Sequence, residues 1–189
     1  TINPRLFENQ IAYIANHAED RWLFLDPAFV PLIEKLQSSL KTIERFVVLT
    51  GEASMPATTL RNAISYEALI AGESDECEWP EFDENTASSL CYTSGTTGDP
   101  KGVLYSHRST VLHSLASSTA NANGLSSQNV ILAVVPMFHV NAWGLPYSAA
   151  MVGAKIVFPG SKMGDPETLQ DLIESEGVDF AAAVPTVWQ

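Results

Sequence analysis

One segment of the sequence concentrates residue types that bind phosphate. Between Leu90 and Val103 it reads LCYTSGTTGDPKGV, with four hydroxyl side chains, three glycines and one lysine in ten residues. Glycines let backbone N–H groups approach a phosphate closely. Threonine and serine hydroxyls can donate to phosphate oxygens or offer an oxygen to Mg²⁺, and Lys101 adds a compact positive charge. The segment therefore predicts a phosphate-binding loop.

The spacing within this segment differs from that of the common nucleotide-binding loop. In that loop a lysine directly follows a glycine, precedes Ser or Thr and opens a helix. Here Lys101 lies three residues after Gly98 and follows Pro100, which biases Asp99 away from helix. We expect an open, mobile loop that can close over a triphosphate. A flexible surface turn is the alternative, but such turns rarely combine so many hydroxyls and glycines with a lysine.

The elements that must position this loop alternate along the chain. Short apolar runs predict strands, and apolar residues at helical spacing predict helices. Strands are expected at 22–25, 46–49, 88–92, 130–135, 154–158 and 178–184. Helices are expected to start at Asn3-Pro4, Asp26-Pro27, Ser65, Ser106 or Ser109, and Asp165-Pro166. The second of these helices has an apolar side formed by Val30, Ile33, Leu36 and Leu40. The helix after Ser106 or Ser109 has one formed by Val111, Leu112, Leu115 and Thr119. This alternation predicts an α/β fold in which helices flank a parallel sheet.

An acidic segment separates two halves of the sequence. Residues 73 to 84 carry seven acidic side chains and no basic one, and Pro80 lies among them. Charge repulsion favours a solvated linker, since acidic runs are more often surface loops than metal sites. We predict an upstream α/β segment at 1–72, an acidic linker at 73–86 and an α/β segment with the phosphate loop at 87–189.

Composition excludes several classes of protein. Ten basic and 22 acidic side chains give the 189 residues a net charge of −12, which disfavours nucleic-acid binding and requires any nucleotide site to rely on local backbone donors. Two cysteines form neither a disulfide framework nor a zinc motif, so a cytoplasmic location is predicted. The first residues do not resemble a signal peptide, and the longest apolar stretch is too interrupted for a transmembrane helix.

The phosphate-loop segment YTSGTTGDPKG resembles that of the adenylate-forming, or AMP-binding, superfamily. This superfamily includes acyl-CoA synthetases, luciferases and the adenylation domains of peptide synthetases. The resemblance extends to VLYSHRSTVLHSL, to VPMFHVNAWGLPYSA at residues 135–149, to the final VPTVW and to the opening NPRLFENQIAYIANHAEDRWLFLD. In detail the chain is most similar to medium- and long-chain fatty-acyl-CoA ligases, and it resembles an internal fragment of their large N-terminal domain.

The resemblance implies parallel-sheet layers flanked by helices and a two-step reaction. A carboxylate attacks the α-phosphate of ATP in the presence of Mg²⁺, and the thiol of coenzyme A then displaces AMP from the acyl adenylate. Lys101 and His139 would be catalytic, with His139 near the α-phosphate, and Trp143 would gate the acyl tunnel. The implied nucleotide and substrate contacts are Thr93, Ser94, Gly95, Thr96, Thr97, Gly98, Lys101, Val140 and Trp143, and Thr93 would ligate Mg²⁺.

Several alternatives stay open at the level of sequence. Without the resemblance, His139 is better explained as a packed core histidine, and core packing is a strong alternative for Trp143. The family's Tyr-Gly-x-Thr-Glu segment, its ribose-binding aspartate and its small C-terminal domain with a catalytic lysine do not occur in these residues, so we expect this fragment alone to be inactive. It could instead be a non-catalytic nucleotide-binding module or part of an adenylation domain that loads a carrier protein. Exposed sheet edges predict self-association or a homo-oligomer.

Overall fold

The computed structural model describes residues 1–93 and 98–189. The chain forms two compact units. The first comprises Ile2–Glu81 and Tyr92–Gly102, and the second comprises Thr1, Phe82–Cys91 and Val103–Gln189. Each unit contains a three-stranded parallel sheet with helices, as the α/β prediction required. The predicted fold class is therefore confirmed.

The first unit is built around three short strands. Its elements are α1 (Glu8–His17), β1 (Trp22–Leu25), α2 (Val30–Leu36), β2 (Arg45–Val48), β3 (Ala63–Ser65) and α3 (Tyr66–Ile70). The sheet has the order β1-β2-β3, and its register pairs Phe24 with Val47 and Val47 with Ile64. The central strand β2 carries three consecutive buried residues, because helices and neighbouring strands cover a parallel sheet on both faces.

The helices of the first unit follow the sequence pattern only in part. The four apolar positions predicted after Asp26-Pro27, from Val30 to Leu40, are all buried, but α2 ends at Leu36 and Leu40 lies beyond it. The prediction that a helix begins at Asn3-Pro4 is wrong, because α1 begins at Glu8. Asn3 instead accepts a hydrogen bond from the N–H of Arg5 at 2.9 Å and so stabilises a turn before the helix.

The second unit holds a second parallel sheet. Strands β4 (Ala87–Thr93) and β5 (Lys101–Ser106) form a two-stranded sheet and cross the division between the units. The further elements are α4 (His107–Ser118), β6 (Val130–Ala133), α5 (Val140–Trp143), α6 (Leu145–Val152), β7 (Lys155–Val157), α7 (Pro166–Glu176), β8 (Phe180–Ala182) and α8 (Pro185–Trp188). The sheet has the order β7-β6-β8, so the central strand β6 is again the most buried.

Helix α4 shows where the sequence pattern and the structure differ. Its start is fixed by a reciprocal capping box, in which the side chains of Ser106 and Ser109 each accept a hydrogen bond from the other residue's N–H. The cap is therefore Ser106. The side of the helix marked by Val111, Leu112 and Leu115 is exposed, and its one buried residue is Ser114. In the described parts of the chain, no helix is long and apolar enough to cross a membrane.

Candidate functional site

The phosphate-loop segment connects two strands that are hydrogen-bonded neighbours. Thr93 is the last residue of β4 and Lys101 is the first residue of β5, and both side chains are exposed. The predicted contacts Ser94, Gly95, Thr96 and Thr97 lie outside the described residues. The sheet therefore fixes where the segment leaves and re-enters regular structure, with a hydroxyl at one end and an ammonium group at the other.

The return of the segment to β5 depends on a glycine and a proline. Gly98 has a φ of +90°, a conformation that L side chains rarely adopt, and a Cβ added there would meet no atom within 4 Å. This glycine is therefore needed for its backbone conformation and not for lack of space. Pro100 is buried and directly precedes the exposed Lys101. The proline thus anchors the chain immediately before the lysine.

The end of β4 is held by an aromatic contact within the first unit. The Tyr92 hydroxyl lies 2.7 Å from Nδ1 of His17 on α1, and the His17 ring stacks on Tyr13. Burial, and then the nearby Tyr13 and Asp20, raise the pKa of Tyr92. The phenol therefore stays protonated and can donate to an unprotonated Nδ1. This contact ties the residue before Thr93 to a packed helix.

Element α5 (Val140–Trp143), which lies in the segment 135–149 that resembles the family, forms a left-handed turn. Val140, Asn141, Ala142 and Trp143 have φ values of 48°, 53°, 53° and 56°, and Gly144 follows at 75°. The turn closes through a hydrogen bond from the N–H of Gly144 to the carbonyl of Asn141 at 3.0 Å. Left-handed conformation costs an L residue about 1–2 kcal/mol and is normally visited singly. Four successive non-glycine residues in this region therefore need strong tertiary support.

Part of that support comes from the Asn141 carboxamide. The side chain is buried, and both ends of its amide bind residues of β4. The Cys91 thiol donates to Asn141 Oδ1 at 3.0 Å, and Asn141 Nδ2 donates to the Ser89 hydroxyl at 3.0 Å. Asparagine also tolerates left-handed conformation better than most residues. The same residue thus reduces the strain of the turn and fixes it to the strand.

Helix α4 supports the turn at its other end. Nε2 of His113 lies 3.2 Å from the Trp143 carbonyl, to which it can donate. The ring lies so close to Gly144 that a Cβ there would be 2.6 Å from two of its atoms. One helical turn later, the hydroxyls of Ser117 and Ser148 are 2.8 Å apart. The turn is therefore bound by α4 and leads directly into α6, which packs on α4.

The left-handed turn determines which side chains are available to a ligand. Within the second unit His139, Val140 and Trp143 are exposed, while Asn141 and Ala142 between them are buried. The His139 ring contacts the ring of Phe138, with centroids 4.8 Å apart. The structure thus places Val140 and Trp143 on one turn and His139 directly before it. Thr93, Gly98 and Lys101 belong to the other unit.

The residues described here offer little to a metal ion on their own. No group of three or more His, Cys, Asp or Glu side chains is placed to hold a metal within 1–93 and 98–189. The hydroxyl of Thr93 is a single exposed oxygen. Such a donor fits Mg²⁺ only where nucleotide phosphates and water supply most of the ligands, which is how this ion commonly binds at phosphate sites.

Comparison with known proteins identifies the family. The model of the AMP-binding enzyme family matches residues 1–189, the whole chain. The chain belongs to the AMP-binding enzyme family. Among its relatives, the medium-chain-fatty-acid–CoA ligase of Ectopseudomonas oleovorans is 56% identical over 189 residues. The 3-methylmercaptopropionyl-CoA ligase of Ruegeria lacuscaerulensis is 53% identical, and the long-chain-fatty-acid–CoA ligase of Thermus thermophilus is 50% identical.

The AMP-binding chain spans about a third of the length of these relatives. The three alignments include 100% of this chain but 34%, 35% and 33% of the other proteins. Among solved structures, the long-chain-fatty-acid–CoA ligase FadD1 of Archaeoglobus fulgidus aligns with 98% of this chain and 34% of its own, with a TM-score of 0.77 and 29% identity. The anthranilate CoA ligase AuaEII, solved with anthranoyl-AMP, has a TM-score of 0.80 and 24% identity over 99% of this chain and 35% of its own, which supports the fold.

Sequence reasoning about this AMP-binding chain missed the residues that hold the turn. The sequence pattern predicts Ser89 and Cys91 only as strand residues, and it assigns no binding role to His113. One local signal was present, because an asparagine and a glycine, the residues that most readily adopt positive φ, lie three positions apart at Asn141 and Gly144. Their partners could not be found from the sequence, since Cys91 lies 50 positions from Asn141.

Proposed function

We propose that this chain is part of an ATP-dependent acyl-CoA ligase, which activates a fatty or related carboxylic acid as an acyl adenylate and transfers the acyl group to coenzyme A. The observation that carries the proposal is the 50–56% identity over the full chain to three ligases that differ in their named acids but share coenzyme A. The common chemistry is therefore better supported than any particular acid.

The first proposed step forms the adenylate. An oxygen of the substrate carboxylate attacks the α-phosphorus of ATP, a P–O bond forms, and the bond to the bridging oxygen breaks, releasing pyrophosphate. Both reactants are anions, so the site must offset their repulsion and align them. Lys101, exposed at the start of β5, would bind the β- and γ-phosphates together with Thr93, Ser94, Gly95, Thr96, Thr97 and Gly98.

The remaining contacts concern the metal, the α-phosphate and the acid. The Thr93 hydroxyl would supply one oxygen to Mg²⁺, which when bound to ATP neutralises part of the phosphate charge. His139 would donate a hydrogen bond near the α-phosphate, since it is exposed directly before the left-handed turn. Val140 and Trp143, exposed on the same turn, would contact the acid, with Trp143 as the gate to its channel.

The second proposed step consumes the adenylate. The thiol of coenzyme A gives up its proton to solvent and its sulfur attacks the acyl carbon, so that a C–S bond forms and the C–O bond to AMP breaks. The oxygen that bridged carbon and phosphorus therefore leaves with AMP. This atom balance gives a direct test, because an isotope placed in the acid must appear in the nucleotide product.

The test uses the full-length ligase that contains this chain, with ATP, Mg²⁺, coenzyme A and octanoate labelled with ¹⁸O in both carboxylate oxygens. We expect AMP that carries one ¹⁸O atom, octanoyl-CoA that keeps the other ¹⁸O atom in its carbonyl group, and pyrophosphate without the label. Omitting coenzyme A should leave acyl adenylate and no thioester. Formation of ADP and phosphate, or AMP without the label when octanoyl-CoA is formed, would contradict the proposed reaction.

Three further features stay predictions of this proposal. The 189-residue fragment by itself is expected to release no AMP in steady turnover with ATP, Mg²⁺, coenzyme A and fatty acids. A cytoplasmic location and self-association through sheet edges are likewise expected from the composition and from the parallel strands. Size-exclusion chromatography of the purified fragment at several concentrations tests the last of these.

A further inference from the structure

The left-handed turn presents an arrangement that the ligase chemistry alone does not require. Of the six non-glycine residues with positive φ in the described ranges 1–93 and 98–189, four are consecutive, from Val140 to Trp143. Valine is among the least suited residues to this region, because its branched Cβ crowds the backbone. Strain of this kind persists only where the surroundings over-determine the backbone, and it is concentrated at ligand-binding sites.

The contacts that support this turn centre on the side chain of Asn141. Asn141 uses its Oδ1 and its Nδ2 at the same time, and both partners lie on β4, at Cys91 and Ser89. Residues 89 and 91 are two apart, so they lie on the same face of the strand. Cys91 is also buried, which excludes solvent from the thiol contact. A buried amide satisfied at both ends by one strand can hold the turn in a single position.

The hydrogen bonds between Asn141 and β4 lie close to residues that the proposed reaction uses. Strand β4 ends at Thr93, two residues beyond Cys91, where the phosphate-loop segment begins. On the other side, Asn141 lies between the exposed Val140 and Trp143 and two residues after His139. One carboxamide therefore joins the strand that enters the phosphate loop to the turn that carries the predicted acid contacts.

We propose that Asn141 is a positioning residue, which clamps the left-handed turn to β4 and so fixes His139, Val140 and Trp143 for adenylate formation. The role rests on the proposed ligase function, but it concerns a buried residue that is not among the proposed nucleotide and acid contacts. Ser89 and Cys91 are its partners, and His113 closes the turn from α4 through the Trp143 carbonyl.

The test compares Asn141→Gly with Asn141→Ala in the full-length ligase. Glycine accepts positive φ without strain, so the first variant removes the clamp and keeps the backbone conformation accessible. The second variant removes the clamp and restores the strain. Ser89→Ala removes a single hydrogen bond, and Ser117→Ala is the matched control, because it removes a hydroxyl contact between α4 and α6 outside the turn.

We expect Asn141→Gly to lower kcat/KM for octanoate in the adenylation half-reaction by about tenfold, the effect of losing buried hydrogen bonds that hold a reacting geometry. Selectivity among acids of six to twelve carbons should broaden, since the clamp no longer fixes Val140 and Trp143. Asn141→Ala should show at least the same loss, and Ser89→Ala a smaller loss in the same direction. Ser117→Ala should keep both the rate and the selectivity profile.

A second measurement makes the clamp testable without activity. Amide hydrogen exchange in Asn141→Gly should be faster than in the wild type in a peptide that covers 139–144 and in one that covers 87–93, and unchanged in Ser117→Ala. Wild-type exchange in both peptides together with a wild-type selectivity profile would overturn the proposal. Faster exchange in Asn141→Gly, together with a wild-type protein that forms no acyl adenylate, would leave the clamp standing and would contradict the ligase function instead.

Discussion

Gly98 in the phosphate-loop segment and Gly144 at the end of the left-handed turn both have positive φ, but their surroundings differ. Gly98 in the first has open space around its Cα, and Lys101 at its end is exposed. Gly144 at the end of the turn touches the His113 ring, and Asn141 within it is buried. Substitutions in the first segment should therefore act on ligand binding, whereas substitutions in the turn should act first on structure.

The largest expected effect comes from comparing the two glycines. Gly144→Ala places a Cβ at a φ of +75° and 2.6 Å from two His113 ring atoms. Left-handed strain of about 1–2 kcal/mol and overpacking of about 1–3 kcal/mol should together lower the free energy of unfolding by about 2–5 kcal/mol. Gly98→Ala, at a φ of +90° with open space, should incur only the first of these costs. Urea denaturation of both variants measures the difference.

A double variant checks the cause of this effect. His113→Ala in the Gly144→Ala background removes the ring that the new Cβ would meet, so part of the lost stability should return. Equal destabilisation by the two glycine substitutions, with no recovery in the double variant, would show that Gly144 is no more tightly packed than Gly98.

The next largest effect is a loss of activity without a loss of stability. Lys101→Ala removes an exposed ammonium group, so the unfolding midpoint should stay near that of the wild type. A charge-assisted contact to phosphate contributes about 1.5–3 kcal/mol, so ATP–pyrophosphate exchange should fall roughly tenfold to a hundredfold. Lys41→Ala, another exposed lysine of the same unit, is the control. A wild-type exchange rate in Lys101→Ala would remove this lysine from the mechanism.

Substitution of Trp143 should affect both stability and ligand binding, because this residue is on the strained turn and yet 44% exposed. Truncation of a buried aromatic residue costs about 3–5 kcal/mol, and a half-exposed ring should cost clearly less. We expect Trp143→Ala to change the ratio of kcat/KM between short and long acids by about tenfold, with little change in the KM for ATP. Trp22→Ala, another half-exposed tryptophan, controls for general loss of packing. A large loss of stability with an unaltered acid profile would leave Trp143 a packing role only.

The smallest expected effect is a change in the pH dependence of stability, caused by the hydrogen bonds of Glu34, which lies outside both regions. Oε1 of Glu34 accepts hydrogen bonds from the N–H of Thr59 at 2.6 Å and from the hydroxyls of Thr58 and Thr59 at 2.9 and 3.0 Å. The N–H bond and then the hydroxyl bonds lower the pKa of Glu34 below its ordinary value. The folded state therefore binds the Glu34 proton less readily than the unfolded state does. The resulting stability is present above the ordinary pKa of about 4.3 and is lost as the pH falls through the lower folded pKa.

Glu34→Gln tests this sign, because glutamine keeps an acceptor oxygen and does not titrate. The denaturation midpoint of the wild type should fall slightly more than that of the variant when the pH is lowered from about 6 to about 3. Parallel curves for the two proteins would show that the three hydrogen bonds do not distinguish the charged from the neutral carboxyl group.

Much of the secondary structure could be predicted because each element carries its own signal. Asp165 caps α7 as expected, by accepting a hydrogen bond from the N–H of Thr168, and Gly177 ends the helix in left-handed conformation. The strand predicted at 130–135 is observed at Val130–Ala133, and Val134 and Val135 are buried beyond its end. An apolar run reports burial, but the strand ends where the partner strands stop pairing.

The candidate site could be predicted only in part. The residue types of the phosphate loop were evident, and the family resemblance pointed to His139, Val140 and Trp143. Pattern alone misjudged α4, whose expected apolar side is exposed and whose buried residue is Ser114. A serine can be buried there because its hydroxyl donates to the carbonyl of Thr110 within the same helix.

The sequence by itself determined the α/β alternation, the glycine- and hydroxyl-rich loop and the family, because these depend on residue types at close spacing. The tertiary structure alone decided the hand of the turn at Val140–Trp143 and the partners that stabilise it. Local propensity opposes a left-handed run that includes valine and tryptophan. Only contacts with a strand some 50 residues earlier and with the ring of His113 can offset that cost, and such contacts exist only after the chain has folded.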